Sequence, residues 1–170
     1  YCWWFSTVRL YDKQLFFKKI ASAVYVSIAM GQNVNCYTWW LLVHSTSEVK
    51  NNNNLDFNNI ALGGFSQGCM ISLQTGIKRK NKIKCILGYS GKILNINHLG
   101  KNINSRPEIY LMHGDVDEVV PVSHLLEAKE FFIKNNYDIK TKIFENCEHR
   151  IPTEGSSMGL DFLKKNLYKT

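Results

Sequence analysis

Several things are missing from this 170-residue chain, and each absence closes off a class of function. No apolar run is long enough to span a bilayer. The closest approach is Lys18-Lys19 followed by residues 20–30, which looks like a signal-peptide core but is short and carries serines. No cysteines stand in a Cys-x-x-Cys pair and no zinc spacing occurs. The five that exist, Cys2, Cys36, Cys69, Cys85 and Cys147, are odd in number. They read as free thiols in a reducing, cytoplasmic setting, packed as small apolar groups. No basic helix carries interleaved aromatics and no nucleic-acid motif occurs, so the net charge of +7 does not point to a nucleic-acid partner. The one basic cluster, Lys78-Arg79-Lys80-Asn81-Lys82-Ile83-Lys84, reads as a solvated helix-to-strand connection in preference to a contact with an anionic membrane. A hydrophobic content of 45% and a charged content of 21% are those of a globular protein, and the length suits a single domain over 1–170.

What the chain does have is Gly64-Phe65-Ser66-Gln67-Gly68, preceded by the apolar run Ile60-Ala61-Leu62 and followed by the helix-compatible stretch 69–77. Gly-x-Ser-x-Gly between a strand and a helix is the context of a nucleophile elbow. There a buried strand turns so sharply that the serine hydroxyl is pushed out above the sheet. Glycines on either side leave room where a Cβ would collide with a neighbouring strand or helix. The helix that begins behind Ser66 aims its free N–H groups, Gln67 first, at the place where negative charge would develop.

Along the rest of the chain the first third is poorly specified. Residues 1–8 are aromatic and compatible with a strand. Residues 12–30 have a roughly helical apolar period and predict a buried helix. Residues 34–43, with Trp39-Trp40-Leu41-Leu42, form a second apolar run read as a strand, and 45–59 is a polar linker. From residue 59 the pattern sharpens into strand 60–65, helix 67–78, strand 84–89, a loop, strand 108–112, helix 123–135, strand 139–145, loop 146–152 and helix 155–167. Alternating strands and helices predict an α/β fold, a mostly parallel sheet with helices on both faces. Right-handed crossovers would bring the strands' C-terminal ends to one edge, where open α/β sheets bind ligands. Ser66, the loop 113–117 and the loop 146–150 all fall at that edge.

A serine nucleophile needs a base, and the base needs a carboxylate. Of five histidines, His44 precedes the serine, and His98 sits in a polar loop. His113 is followed by Gly114 and suits a packed residue shaping a turn, while His124 opens a helix. His149 follows the last strand in a loop that can reach Ser66, and chain order makes it the base. Cys147, two residues earlier, is a bystander, because close neighbours on a loop generally point apart. The acid comes from His113-Gly114-Asp115-Val116-Asp117-Glu118, which offers Asp115, Asp117 and Glu118.

The Gly64–Gly68 motif, His113-Gly114-Asp115-x-Asp117-x-x-Val120-Pro121 and the late His149 resemble the acyl-protein thioesterase / lysophospholipase / carboxylesterase family of small serine hydrolases, with an α/β-hydrolase fold. The likeness covers residues 59–168. It implies that Asp117, the second aspartate of the motif, is the triad acid and that Asp115 is structural. It further implies a cytosolic or membrane-peripheral enzyme acting on thioesters of S-acylated proteins or on esters of lysophospholipids and small acyl compounds. No metal or cofactor is implied. Leu94 and Ile96, with aromatic residues of the first third, are candidate walls for an acyl groove.

Residues 1–58 show no His-Gly-Leu-Gly-Asp-like loop, which in relatives helps form the oxyanion hole, and Arg150 stands where relatives have a small residue. With Tyr1 in place of Met, the chain reads as truncated or divergent at its amino terminus. The expected activity is hydrolysis of acyl esters or thioesters through Ser66, His149 and Asp117, with the Gln67 N–H as oxyanion donor. The alternative is a catalytically impaired hydrolase fold serving as a lipid- or protein-binding module. A serine peptidase of the same fold ranks last, since no separate cap domain or gating insert is visible.

Overall fold

The computed structural model describes the backbone of residues 23–29 together with residues 57 and 60–167. In chain order these form β1 (Ala23–Ala29), β2 (Ile60–Ser66), α1 (Gln67–Lys78), β3 (Cys85–Tyr89), α2 (Ile96–Gly100), β4 (Glu108–Gly114), α3 (Ser123–Lys134), β5 (Ile139–Phe144) and α4 (Thr153–Leu167). The expected strands at 1–8 and 34–43 and most of the linker lie outside the described residues.

All five strands are parallel and lie side by side in sequence order, β1-β2-β3-β4-β5. Every strand's C-terminal end therefore meets one edge. Successive side chains alternate between faces. Ile60 and Leu62 of β2, Ile86 of β3 and Ile109 and Leu111 of β4 join Leu73 and Ile77 of α1, Leu99 of α2 and Leu125 and Phe132 of α3 in one apolar cluster. Ala61 and Phe65, Leu87 and Tyr89, Tyr110 and Met112 face the other way and pack with Phe162 and Leu167 of α4. Three helices thus cover one face and the last helix covers the other. Strands buried on both faces are apolar throughout, as β2 and β3 are.

The predicted helix over 12–30 is corrected: residues 23–29 are a strand paired in register with β2, from Ala23 opposite Ile60 to Ala29 opposite Ser66. A continuous apolar run has no period of its own, and the β-branched Val24, Val26 and Ile28 favour the extended form. The loop predicted around His98 contains the one-turn helix α2, started by Asn95, whose Oδ1 accepts the His98 N–H at 2.8 Å. Five residues are too few to show a period. The basic connection is exposed at Lys80 and Lys82 but sends Ile83 into the core, and the Arg79 guanidinium lies over the Phe57 ring at 4.8 Å.

Candidate active site

Ser66 ends β2 and sits immediately before α1, with φ 54° and ψ −118°. A left-handed φ on a residue with a Cβ is strained and persists only where the surroundings impose it. Here the constraint is the close approach of α1. A Cβ on Gly64 would lie 2.2 Å from the Gly68 carbonyl carbon and 2.5 Å from the Cys69 nitrogen. In the next strand Gly88 pairs with Gly64, and a Cβ there would strike the Cys69 sulfur at 2.3 Å. Two glycines in one row let the helix press against the sheet, and the chain turns within one residue. The Ser66 side chain caps no helix amide. Gln67 opens α1, where helix geometry leaves amides without an intrahelical acceptor.

Asp117 lies in the loop after β4 and is 4% exposed. Its Oδ1 accepts the backbone N–H groups of Val119 at 3.0 Å and Val120 at 2.8 Å. Its Oδ2 lies 2.8 Å from His149 Nδ1 and 3.4 Å from His113 Nε2. Burial works against the charged carboxylate, but the Val120 amide and His149 outweigh it and hold Asp117 below the usual carboxylate value. The Ser90 hydroxyl, at the end of β3, stands beside this carboxylate and contributes in the same direction, although its Oγ makes no hydrogen bond of normal geometry.

His149 lies in the loop after β5, with its side chain 18% exposed. An ionised carboxylate only accepts, so Nδ1 carries the proton donated to Asp117 and Nε2 is left with its lone pair. The ring packs on Phe65, the residue before Ser66, with centroids 4.6 Å apart and the planes at 44°. Among the described residues no hydrogen bond joins Ser66 Oγ to His149; the imidazole is held instead by Asp117 and Phe65.

The two loops that carry Asp117 and His149 are laced together. Asp115 N–H donates to Phe144 O at 3.0 Å, Val116 N–H to Cys147 O at 3.3 Å, and Cys147 N–H to Asp115 Oδ1 at 3.2 Å. Gly114 makes this possible, since a Cβ there would sit 1.9 Å from Cys147 O. Asp115 thus spends its carboxylate on the neighbouring loop. Glu118 is exposed. His113, in the last turn of β4, is buried. Burial pushes its imidazole below the ordinary value despite the nearby Asp117, and the neutral ring donates Nε2–H to Val120 O at 2.7 Å.

The other candidates fall elsewhere. His98 on α2 meets Lys78 Nζ at 3.1 Å, at the C-terminal end of α1, and His124 on α3 pairs with Glu127 at 3.2 Å. His44 lies outside the described residues. Cys147 is buried, its Sγ 3.6 Å from Glu148 O. Leu94 is exposed, while Ile96 packs against the core cluster of the three-helix face. Phe65 and Ser90 were not singled out by sequence reasoning. Phe65 was legible as the residue before the serine, which must project beside the elbow. Ser90 carried only the hint of Ser-Gly at a strand end. Among the described residues no group of histidine, cysteine and acidic side chains forms a metal site.

Residues 40–167 match the phospholipase/carboxylesterase family. The chain belongs to that family. Among the relatives of this phospholipase/carboxylesterase member is acyl-protein thioesterase 1 of Saccharomyces cerevisiae, 35% identical over 116 residues, covering 64% of this chain and 50% of the yeast protein. Esterase YpfH of Escherichia coli is 27% identical over 112 residues, covering 66% and 47%. The chain spans about half the length of the curated relatives it matches. Among solved structures, esterase PE8 superposes with a TM-score of 0.74 at 30% identity, covering 77% of this chain and 61% of its own. An alpha/beta hydrolase from a Medee basin deep-sea metagenome library, MGS-M1, superposes with a TM-score of 0.65 at 18% identity, covering 85% and 70%, which establishes the α/β-hydrolase fold. The family match begins at residue 40, ahead of residue 59 where the motifs start.

Proposed function

We propose that this chain belongs to a serine hydrolase cleaving acyl thioesters or carboxylic esters, with Ser66 as nucleophile, His149 as base and Asp117 as the acid that orients it. The observation that carries the reading is the 2.8 Å contact between His149 Nδ1 and Asp117 Oδ2 at the sheet edge where Ser66 adopts its strained turn. In this reading His149 Nε2 takes the Ser66 proton as Oγ attacks the acyl carbonyl. The Gln67 N–H, first in α1, supports the oxyanion, and the imidazolium then protonates the leaving thiolate or alkoxide. Water, activated by the same nitrogen, releases the acid and frees Ser66. No step calls for a metal.

Substrate class follows the names of the relatives and of the family: acyl-protein thioesterase and esterase point to S-acylated proteins or small acyl esters, and phospholipase/carboxylesterase to lysophospholipids. Peripheral contact with membranes is part of the same proposal. Among the described residues no helix is long and apolar enough to cross one.

A fluorophosphonate probe tests the mechanism directly. It should label the folded chain at Ser66, and Ser66→Ala should abolish labelling. Folded protein that takes up no probe and gives no burst of p-nitrophenol from a short-chain ester would sink the reading and leave a hydrolase fold used for binding.

A further inference from the structure

The paired row Phe65–Tyr89–Met112 crosses β2, β3 and β4 just below the site. One residue further along come Ser66, Ser90 and His113. The first is the proposed nucleophile, and the last touches the Asp117 carboxylate. Ser90, between them, is 1% exposed and has φ 46°, the second left-handed serine at this edge. Its N–H donates to Met112 O at 2.9 Å, which fixes the turn to β4. On its other side Gly91 is wedged under the elbow, where a Cβ would lie 2.5 Å from the Cys69 sulfur and 3.3 Å from Ser66 O.

Two unfavourable features therefore meet in one residue: a strained backbone and a buried hydroxyl whose Oγ makes no hydrogen bond of normal geometry. Such combinations persist where the surroundings impose them, and a buried polar group without a partner asks for an explanation. Ser90 stands one residue past the Tyr89–Met112 pair, alongside His113, whose Nε2 lies 3.4 Å from Asp117 Oδ2; that carboxylate is the acceptor on this side, and the Ser90 hydroxyl helps to hold it below the usual carboxylate value. Of its two oxygens, Oδ1 is already occupied by the Val119 and Val120 amides, and Oδ2 faces His149.

We propose that Ser90 is a positioning residue for the Asp117–His149 pair, its hydroxyl turning to donate to the Asp117 carboxylate and so setting how strongly Oδ2 grips His149 Nδ1–H. This deepens the hydrolase reading of the same site, but the contact it governs exists without substrate. Among the described residues, the groups that face the pair are already engaged. His113 from β4 donates to Val120 O, His124 from α3 is paired with Glu127, and Asp115 is turned to Cys147 N. Ser90 is the neighbour with a proton to give. With the hydroxyl removed, more charge stays on Oδ2, the hydrogen bond to Nδ1–H strengthens, and the Nδ1 proton is deshielded.

The experiment compares the full chain with Ser90→Ala and Ser90→Gly by proton NMR of the His149 Nδ1–H, and by steady-state hydrolysis of p-nitrophenyl butyrate. Glycine accepts φ 46° without strain and alanine keeps the Cβ, so the pair separates loss of the hydroxyl from loss of the turn. Both variants should move the Nδ1–H resonance downfield and leave KM for the ester unchanged. A resonance that stays put in both variants overturns the proposal, and so does a fall in activity with the resonance unmoved, which would mark Ser90 as merely structural. A wild-type chain that releases no p-nitrophenol, while its variants show the shifted resonance, sinks the hydrolase reading and leaves the positioning role standing.

Discussion

Asp117 divides its two oxygens between two tasks: Oδ1 closes its own turn on the Val119 and Val120 amides, and Oδ2 holds His149 Nδ1 at 2.8 Å. The carboxylate is therefore held by its own loop independently of the histidine. Asp117→Asn should preserve the turn, since the amide oxygen still accepts at Oδ1. It should also present an NH₂ group to His149 and force the wrong tautomer. We expect a fall in kcat of about 10⁴-fold on a p-nitrophenyl ester, with a thermal midpoint near that of the wild type. Retained turnover in a folded Asp117→Asn chain would remove Asp117 from the mechanism.

Acid should weaken the fold in two steps. Burial holds His113 below its ordinary value of 6.5, and Asp117 lies below its ordinary 3.8 because the Val120 amide and His149 overcome the cost of burial. For both groups the unfolded chain binds a proton more readily than the folded one, so stability rises with pH across each window. The His113 contribution is complete above 6.5 and is lost as pH falls from there to its lowered folded value. The Asp117 contribution is complete above 3.8 and is lost below it. Urea midpoints measured between pH 8 and 3 should decline first below about 6.5, and His113→Gln should flatten that first decline. A wild-type midpoint constant from pH 7 to 5 would contradict it.

The elbow was legible because its requirement is local. Gly64 and Gly68 flank the serine at fixed spacing, and nothing distant decides whether a Cβ fits between β2 and α1. The order of the longer strands and helices after residue 59, all but the one-turn α2, was legible for the same reason, since each is marked by its own apolar run or helical period. Choosing Asp117 over Asp115 was different in kind. Both stand in one loop, and the residues alone left the choice open until a family resemblance was used. In the folded chain Asp115 reaches Cys147 N and Asp117 reaches His149, contacts between residues 32 apart that no local pattern encodes. β1 was misread because an apolar run destined for a parallel sheet looks like a buried helix. Phe65 against His149 and Ser90 beside Asp117 are products of register across strands, which a linear reading does not contain.

The glycine rows can be tested by adding a methyl group. Gly64→Ala would place a Cβ against α1 backbone that has no room to move, and Gly114→Ala would drive into the Cys147 carbonyl. Each should cost at least about 1–3 kcal/mol in urea unfolding, and Gly64→Ala should also reduce probe labelling by displacing Ser66. Gly100→Ala is the control. The nearest atom to its Cβ is Phe131 Cε2 at 3.5 Å, an ordinary contact, and the change should stay within about 0.5 kcal/mol. Equal stability of all three variants would mean that close approach of helix and sheet does not shape the turn.

The last prediction concerns the thiols. Burial raises Cys69 to about 12 against a lowering contact from the Tyr89 backbone, and burial with Glu108 raises Cys85 to about 12 against Lys84. Both are 1% exposed or less and face the packed layers on opposite sides of the sheet. Alkylation requires a thiolate that the reagent can reach, and neither condition holds in the folded state. Iodoacetamide at pH 8 should leave both unmodified in the native chain by peptide mass mapping and label both in urea. The two report on different layers, Cys69 under α1 and Cys85 toward α4. Native labelling of Cys69 alone would therefore mean that α1 lifts from the sheet and takes the strained turn at Ser66 with it.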